Sequence, residues 1–182
     1  MYEGLIPRRY AKALYKFALE SSSTEKVYDF MKTLVLSFEK QPALQEVMDN
    51  PFIADADKTR LLNTAAGADP KKDTVLEDFF KLLAENRRFE MARAIALAYC
   101  LLYRQENNIY QVEVTSAAPL APGEEKRLKD FILNHLHGGT MEYSSSVNPD
   151  LIGGFVIKID NELLDASISN ELNQLRLKLL SN

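Results

Sequence analysis

The apolar residues of this 182-residue chain change period at Asn107-Asn108. A repeat of three to four positions selects helices and a repeat of two selects strands, so the chain has to build two different kinds of layer. Upstream of the change the pattern predicts six helices with short connections and no strand. The first spans about 7–19, with Pro7 in its first turn, where its missing N–H is not needed. Ser22-Ser23-Thr24-Glu25 reads as a capping box opening a second helix, with Val27, Phe30, Leu34 and Phe38 on one stripe. Pro42 opens a short third helix around Leu44, Val47 and Met48, and Asn50-Pro51 breaks the chain again. A fourth helix, capped by Asp55 or Asp57, carries Leu61 and Leu62 and ends near Gly67. Asp69-Pro70 reads as the start of a fifth that runs to about Asn86. The sixth spans about 89–106, with Phe89, Ala92, Ile95, Ala96, Tyr99 and Leu102 facing inward.

Downstream, Ile109, Gln111, Glu113 and Thr115 alternate with Tyr110, Val112 and Val114, which predicts a strand. A turn at 119–123 and a helix of about 124–136 follow, then strands at 141–147 and 155–159. A short strand at 163–166 comes after an Asp160-Asn161 turn, and an amphipathic helix of about 169–180 closes the chain. The expected fold class is therefore α+β overall. An N-terminal six-helix bundle (residues 1–105) precedes a small α+β domain (residues 106–182). Within the second domain, Asn148-Pro149-Asp150 leads into Gly153-Gly154 and then an alternating run. These glycines permit positive φ or a close backbone approach. Phe155, Ile157 and Ile159 fall on one strand face.

Charge divides with the period. Residues 1–105 hold 16 Lys+Arg against 15 Asp+Glu, and residues 106–182 hold 6 against 11, so the two surfaces suit different partners. With a net charge of −4 and a pI near 5.3, general nucleic-acid binding is disfavoured. The lone Cys100 cannot form an intrachain disulfide and reads as a buried thiol. Residues 1–9 lack the apolar core of a signal peptide, and no apolar run reaches bilayer length. Any membrane connection is expected to run through another protein.

Candidate chemistry is sparse. His135 and His137 point about 200° apart on a helix, so they converge on a metal only if the helix ends between them; complementing the helix dipole is the simpler reading. Neither Gly138-Gly139 nor Gly153-Gly154 belongs to a phosphate-binding loop. Ser144-Ser145-Ser146 has no histidine in its sequence context. Asp55/Asp57 and Glu124/Glu125 sit at helix starts, where capping and dipole effects account for them. Asn50-Pro51-Phe52 could serve as a peptide-docking motif, though a helix break is the commoner use. No catalytic residue, cofactor or metal is expected.

The first and fifth helices carry more apolar surface than one buried face requires. Leu5, Ile6, Tyr10, Ala13, Leu14, Phe17 and Ala18 form a broad stripe, which Ala11, Tyr15 and Leu19 widen. In the fifth helix, Leu76, Phe80 and Leu83 form one stripe and Val75, Phe79 and Leu82 an adjacent one. Either both helices are wholly buried, or a groove between them receives a partner's amphipathic helix.

Several motifs occur in order along nearly the whole chain. They are Arg9-Tyr10-Ala11-Lys12-Ala13-Leu14-Tyr15, Asn50-Pro51, the segment 79–88 (Phe79-Phe80 through Glu85-Asn86-Arg87-Arg88), Ser116-Ala117-Ala118-Pro119-Leu120, and the run from Gly154 to Leu163-Leu164-Asp165-Ala166-Ser167. Together they resemble the delta subunit of F-type ATP synthases, the oligomycin-sensitivity-conferring protein family. Ala166 departs from the glycine common in the family's turn, and Ser169 from a common basic residue.

The resemblance implies a non-catalytic stator subunit on the cytoplasmic face of a bacterial inner membrane, held there by its complex. Its N-terminal domain would grip the N-terminal helix of an alpha subunit of the catalytic head. By motif, Tyr10 and Leu82 carry over as contacts, and helical geometry adds Leu14, Phe17, Val75 and Phe79. The C-terminal domain would engage the C-terminal ends of b-type stalk subunits, with Gly153, Gly154, Phe155, Leu175 and Leu179 as candidates. No nucleic acid and no direct membrane insertion are implied. An unrelated helical scaffold or regulatory binding module is the alternative that the helical pattern alone would also serve.

Overall fold

The structure, a computed structural model, describes residues 4–136, 138–170 and 172. Its class is α+β, and the chain divides into two compact units, residues 1–104 and 105–182. The first unit contains α1 (Leu5–Glu20), α2 (Thr24–Lys40), α3 (Ala43–Asp49), α4 (Asp55–Ala66) and α5 (Thr74–Glu85). A 3-10 turn (Phe89–Met91) then leads into α6 (Ala92–Glu106), whose last two residues count with the second unit.

These helices turn apolar stripes inward. Pro7, Ala11, Leu14 and Ala18 do so on α1, Met31 and Leu34 on α2, Leu62 and Ala66 on α4, and Leu76, Phe80 and Leu83 on α5. The pattern pairs α1 with α2 and α5, α2 with α4, and α4 with α5. A cluster of rings fastens α6 to α1 and α2. Tyr15 lies 6.0 Å from Tyr99 and 6.5 Å from Tyr103, and Tyr28 stacks on Tyr103 at 4.3 Å. The Tyr99 hydroxyl donates to the Thr24 carbonyl at 3.2 Å, so the buried phenol keeps a partner. Burial and the neighbouring phenols push its ionisation well above the ordinary range.

Several helix boundaries differ from the sequence reading. The capping box at Ser22–Glu25 does not form: Ser23 is the N-cap, and its hydroxyl turns back to the Ala18 carbonyl at 3.4 Å. Asp55 and Asp57 do not cap α4 but occupy its first turn, where negative charge meets the positive end of the helix. Helix α5 begins at Thr74 rather than at Asp69-Pro70. A turn intervenes, held by the Asp73 carboxylate accepting the Asp69 N–H at 2.8 Å and pairing with Lys26 of α2. Leu102 is only half-buried, and Tyr103 takes the inward position.

In the second unit β1 (Ile109–Ser116), α7 (Pro122–His135), β2 (Thr140–Val147), a 3-10 turn (Pro149–Leu151), β3 (Gly154–Ile159) and β4 (Glu162–Ser167) follow in turn. Helix α7 thus starts two residues before the expected 124. The strand order is β2-β1-β3-β4, with β1 and β2 parallel and the other pairs antiparallel. The parallel pair requires a crossover, and α7 supplies it. Val112, Val114 and Ile157 face Ile132 of α7 and Leu136 just beyond its end, and Phe155 and Ile159 pack against that core. The opposite face carries polar cross-strand pairs, Thr115 with Ser146 at 3.1 Å and Glu113 with Lys158 at 3.2 Å. Of the expected closing helix, residues 168–170 and 172 are described and are helical.

Candidate partner-binding surfaces

The two overly apolar helices of the first unit pack against each other, and each has two stripes one residue apart. One residue on a helix is a rotation of about 100°, so the stripes occupy adjacent faces. On α1 the buried stripe is Pro7, Ala11, Leu14 and Ala18; the stripe one position earlier is Ile6, Tyr10, Ala13 and Phe17. On α5 the buried stripe is Leu76, Phe80 and Leu83, and the earlier one is Val75, Phe79 and Leu82. The broad α1 stripe expected from sequence is therefore divided, with Leu5, Ile6, Ala13 and Phe17 outside.

The six residues singled out on these helices fall into two layers. Leu14 is 2% exposed and Phe79 is 5% exposed, so both belong to the packing itself. Phe17 and Leu82 keep 42% and 39% of their surface open, and Tyr10 and Val75 are half-buried. The open pair offers surface that a partner helix would cover, and burying the two-fifths still open on each is worth on the order of 1 kcal/mol.

In the second unit a cleft of about 850 Å³ opens between α7 and the β3–β4 half of the sheet. Gly153, Gly154 and Phe155 line it, together with Leu120, Leu128, Phe131, Ile152 and Leu164. Leu164 pairs with Ile157 and so shares the core face, yet it lies on the edge strand and stays exposed. Phe131 and Ile152 are exposed as well. The sequence reading missed Phe131, Ile152 and Leu164. A signal existed for Phe131, which stands one residue before Ile132 of the buried stripe, the same offset seen on α1 and α5.

Gly154 has φ +75°, and a Cβ there would lie 2.2 Å from the Ala166 carbonyl oxygen. Its lack of a side chain is thus a requirement of the β3–β4 pairing. Phe155 is half-buried against the core. Leu175 and Leu179 lie outside the described residues.

The remaining chemistry-bearing groups are accounted for by packing. His135, the last residue of α7, places Nδ1 3.2 Å from the Phe131 carbonyl and its ring 4.5 Å from that of Phe131. His137 lies outside the described residues, among which no group of three metal-ligating side chains gathers. Glu124 accepts the Ala121 N–H at 3.1 Å, half of a capping box, and Glu125 pairs with Lys129 at 2.7 Å. Burial alone would raise the Asp73 carboxyl; Lys26 and the Asp69 N–H outweigh it and hold the group below its ordinary value. Among the described residues, no helix is long and apolar enough to cross a membrane.

Comparison with known proteins agrees with this architecture over the full length. The chain is 33% identical over 181 residues to ATP synthase subunit delta of Phocaeicola vulgatus, covering 100% of this chain and 97% of that protein. It is 35% identical over 179 residues to ATP synthase subunit delta of Parabacteroides distasonis, covering 98% of each. Its fold matches a chain in the cryo-EM structure of the Toxoplasma gondii mitochondrial ATP synthase hexamer with a TM-score of 0.71 at 20% identity, over 97% of this chain and 98% of that one. The profile of the ATP synthase delta (OSCP) subunit matches residues 6–179, and the chain belongs to that family.

Proposed function

We propose that this chain is the non-catalytic stator subunit of an F-type ATP synthase, joining the catalytic head to the peripheral stalk. In this reading residues 1–105 form a six-helix bundle whose α1–α5 groove holds the N-terminal helix of an alpha subunit. Residues 106–182 hold the C-terminal ends of b-type stalk subunits in the cleft around Phe155, Phe131 and Leu164. The subunit would sit peripherally at the cytoplasmic face of a bacterial inner membrane.

The task is mechanical. A rotating central stalk drags the head with it unless the head is anchored, and the anchor must hold for many turnovers. Slow dissociation therefore matters more than any reaction, and apolar side chains on a pre-formed surface are suited to it. The observation that carries the reading is the second, partly open stripe on both α1 and α5, in a chain related over its whole length to delta subunits.

Titration of the purified chain with a synthetic alpha-subunit N-terminal peptide tests it. Leu82→Glu should weaken binding at least tenfold while leaving the fold intact, because Leu82 is already partly in water. Unchanged affinity in that variant would remove the groove from the account. A wild-type chain that ignores the peptide would remove the head assignment.

A further inference from the structure

We propose that the turn between α3 and α4 is a second docking element, with Phe52 as an anchor for an apolar, basic-rimmed socket on the catalytic head. Phe52 is 95% exposed, the most open large apolar side chain among the described residues. It does not sit on a loose loop. Asn50 Oδ1 accepts the Phe52 N–H at 2.9 Å, closing an Asx turn around Pro51. The ends of the turn are fixed as well: the buried Lys58 ammonium donates to the Met48 carbonyl at 2.9 Å, tying the last turn of α3 to α4. An aromatic ring held out on a pre-formed turn loses little freedom on docking, the property that marks interface anchors.

Charge selects the partner. Residues 46–57 carry Glu46, Asp49, Asp55 and Asp57 and no lysine or arginine. The next two cations are committed: Lys58 is buried, and Arg60 pairs with Asp57 at 2.9 Å. The segment that carries the ring is thus acidic along the chain. Anionic lipid would repel such a tip, whereas a protein socket edged with lysine and arginine would steer it in. Phe52 shares its unit with the α1–α5 groove, so the socket is assigned to the assembly that the groove is proposed to grip; in that respect the inference rests on the stator reading. It adds a site outside that groove.

Binding kinetics of the full chain to purified catalytic head, with phosphatidylglycerol vesicles as a separate probe, provide the test. Phe52→Ser should weaken head binding by about tenfold or more, mainly through faster dissociation, with its melting temperature unchanged. Phe52→Leu should retain most of the affinity. The Asp49→Asn/Asp55→Asn pair should slow association and flatten its salt dependence. If Phe52→Ser binds the head like wild type while Leu82→Glu does not, the second site is refuted and the groove stands. If Phe52→Ser instead loses binding to the vesicles, the partner is lipid and the proposal is overturned. A wild-type chain that fails to bind the head refutes both the site and the stator reading.

Discussion

Replacing Gly154 by alanine should destabilise the C-terminal unit far more than the same change at Gly153. At Gly154 the backbone has φ +75°, a conformation that costs an alanine about 1–2 kcal/mol. The new Cβ would also lie 2.2 Å from the Ala166 oxygen and 3.2 Å from the Ser167 Cα. These atoms are backbone, so relief requires opening the last rung of the β3–β4 ladder, where Gly154 faces Ser167. Losing a hydrogen bond there adds about 1 kcal/mol. Alanine also restricts the unfolded chain, which returns about 0.4–1 kcal/mol. The net loss is about 2 kcal/mol. For a unit of this size that lowers the melting temperature by on the order of 10 °C. At Gly153 the nearest atom to an added Cβ is the Ile168 Cδ1 at 2.5 Å, the far end of a flexible side chain that can move away. Its cost should stay below about 1 kcal/mol. Calorimetry of the full chain, with hydrogen exchange of the β3 and β4 amides to localise the loss, measures both. Equal losses in the two variants, or a Gly154→Ala protein as stable as wild type, would refute this account of the glycine pair.

Three further outcomes follow from the first unit. Asp73→Asn removes the partner of Lys26 and should cost about 1–2 kcal/mol at neutral pH, below the figure for a fully buried pair because Lys26 is half in water. The folded carboxyl lies below its unfolded value near 3.8, so its contribution is present above that value and lost as pH falls through the folded one. Melts of wild type and variant should therefore converge in acid, and a gap that persists at pH 2 would contradict the ion-pair origin. Lys58→Met should cost about 1–3 kcal/mol by leaving the Met48 carbonyl buried without its donor, measured by urea unfolding. Phe80→Ala should lower stability by about 3–5 kcal/mol, whereas Phe17→Ala should cost only about 1 kcal/mol, since Phe80 is wholly within the packing and Phe17 keeps two-fifths of its surface open.

The helix breaks were legible because they are local. Pro51 cannot continue a helix, Gly67 reaches φ +72° readily, and the change of period at Asn107-Asn108 needs no tertiary information. The start of α5 was not legible. Asp69-Pro70 carries a valid local start signal, but the carboxylate of Asp73 is held by Lys26 from another helix, and that contact places the first turn at Thr74. The α1 stripe failed for a related reason. Its apolar residues fill two adjacent faces, so periodicity cannot say which one is buried, and packing against α2 and α5 chooses Ala11, Leu14 and Ala18. In the second unit the alternation from Phe155 to Ile159 announced the strand. The reason for the glycine before it resides in Ala166, on a neighbouring strand.

The offset stripes on α1, α5 and α7 share one physical logic. A helix with a single apolar stripe is satisfied by its own core and has little left to give a partner. Adding apolar residues one position earlier extends the apolar surface onto the next face, which is open at Phe17, Leu82 and Phe131 but reaches into the core at Phe79. On the proposed function, binding and stability would load different side chains: Phe17 and Leu82 keep open surface, while Leu14 and Leu83 are buried in the unit. A subunit that resists torque needs this separation, because a bond strong enough to outlast many turnovers would otherwise compete with the packing of its own fold. The prediction that divides Phe17 from Phe80 tests the separation directly. Were both to cost the same stability, the two faces would be one, and the helices would have no surface to spare for a partner.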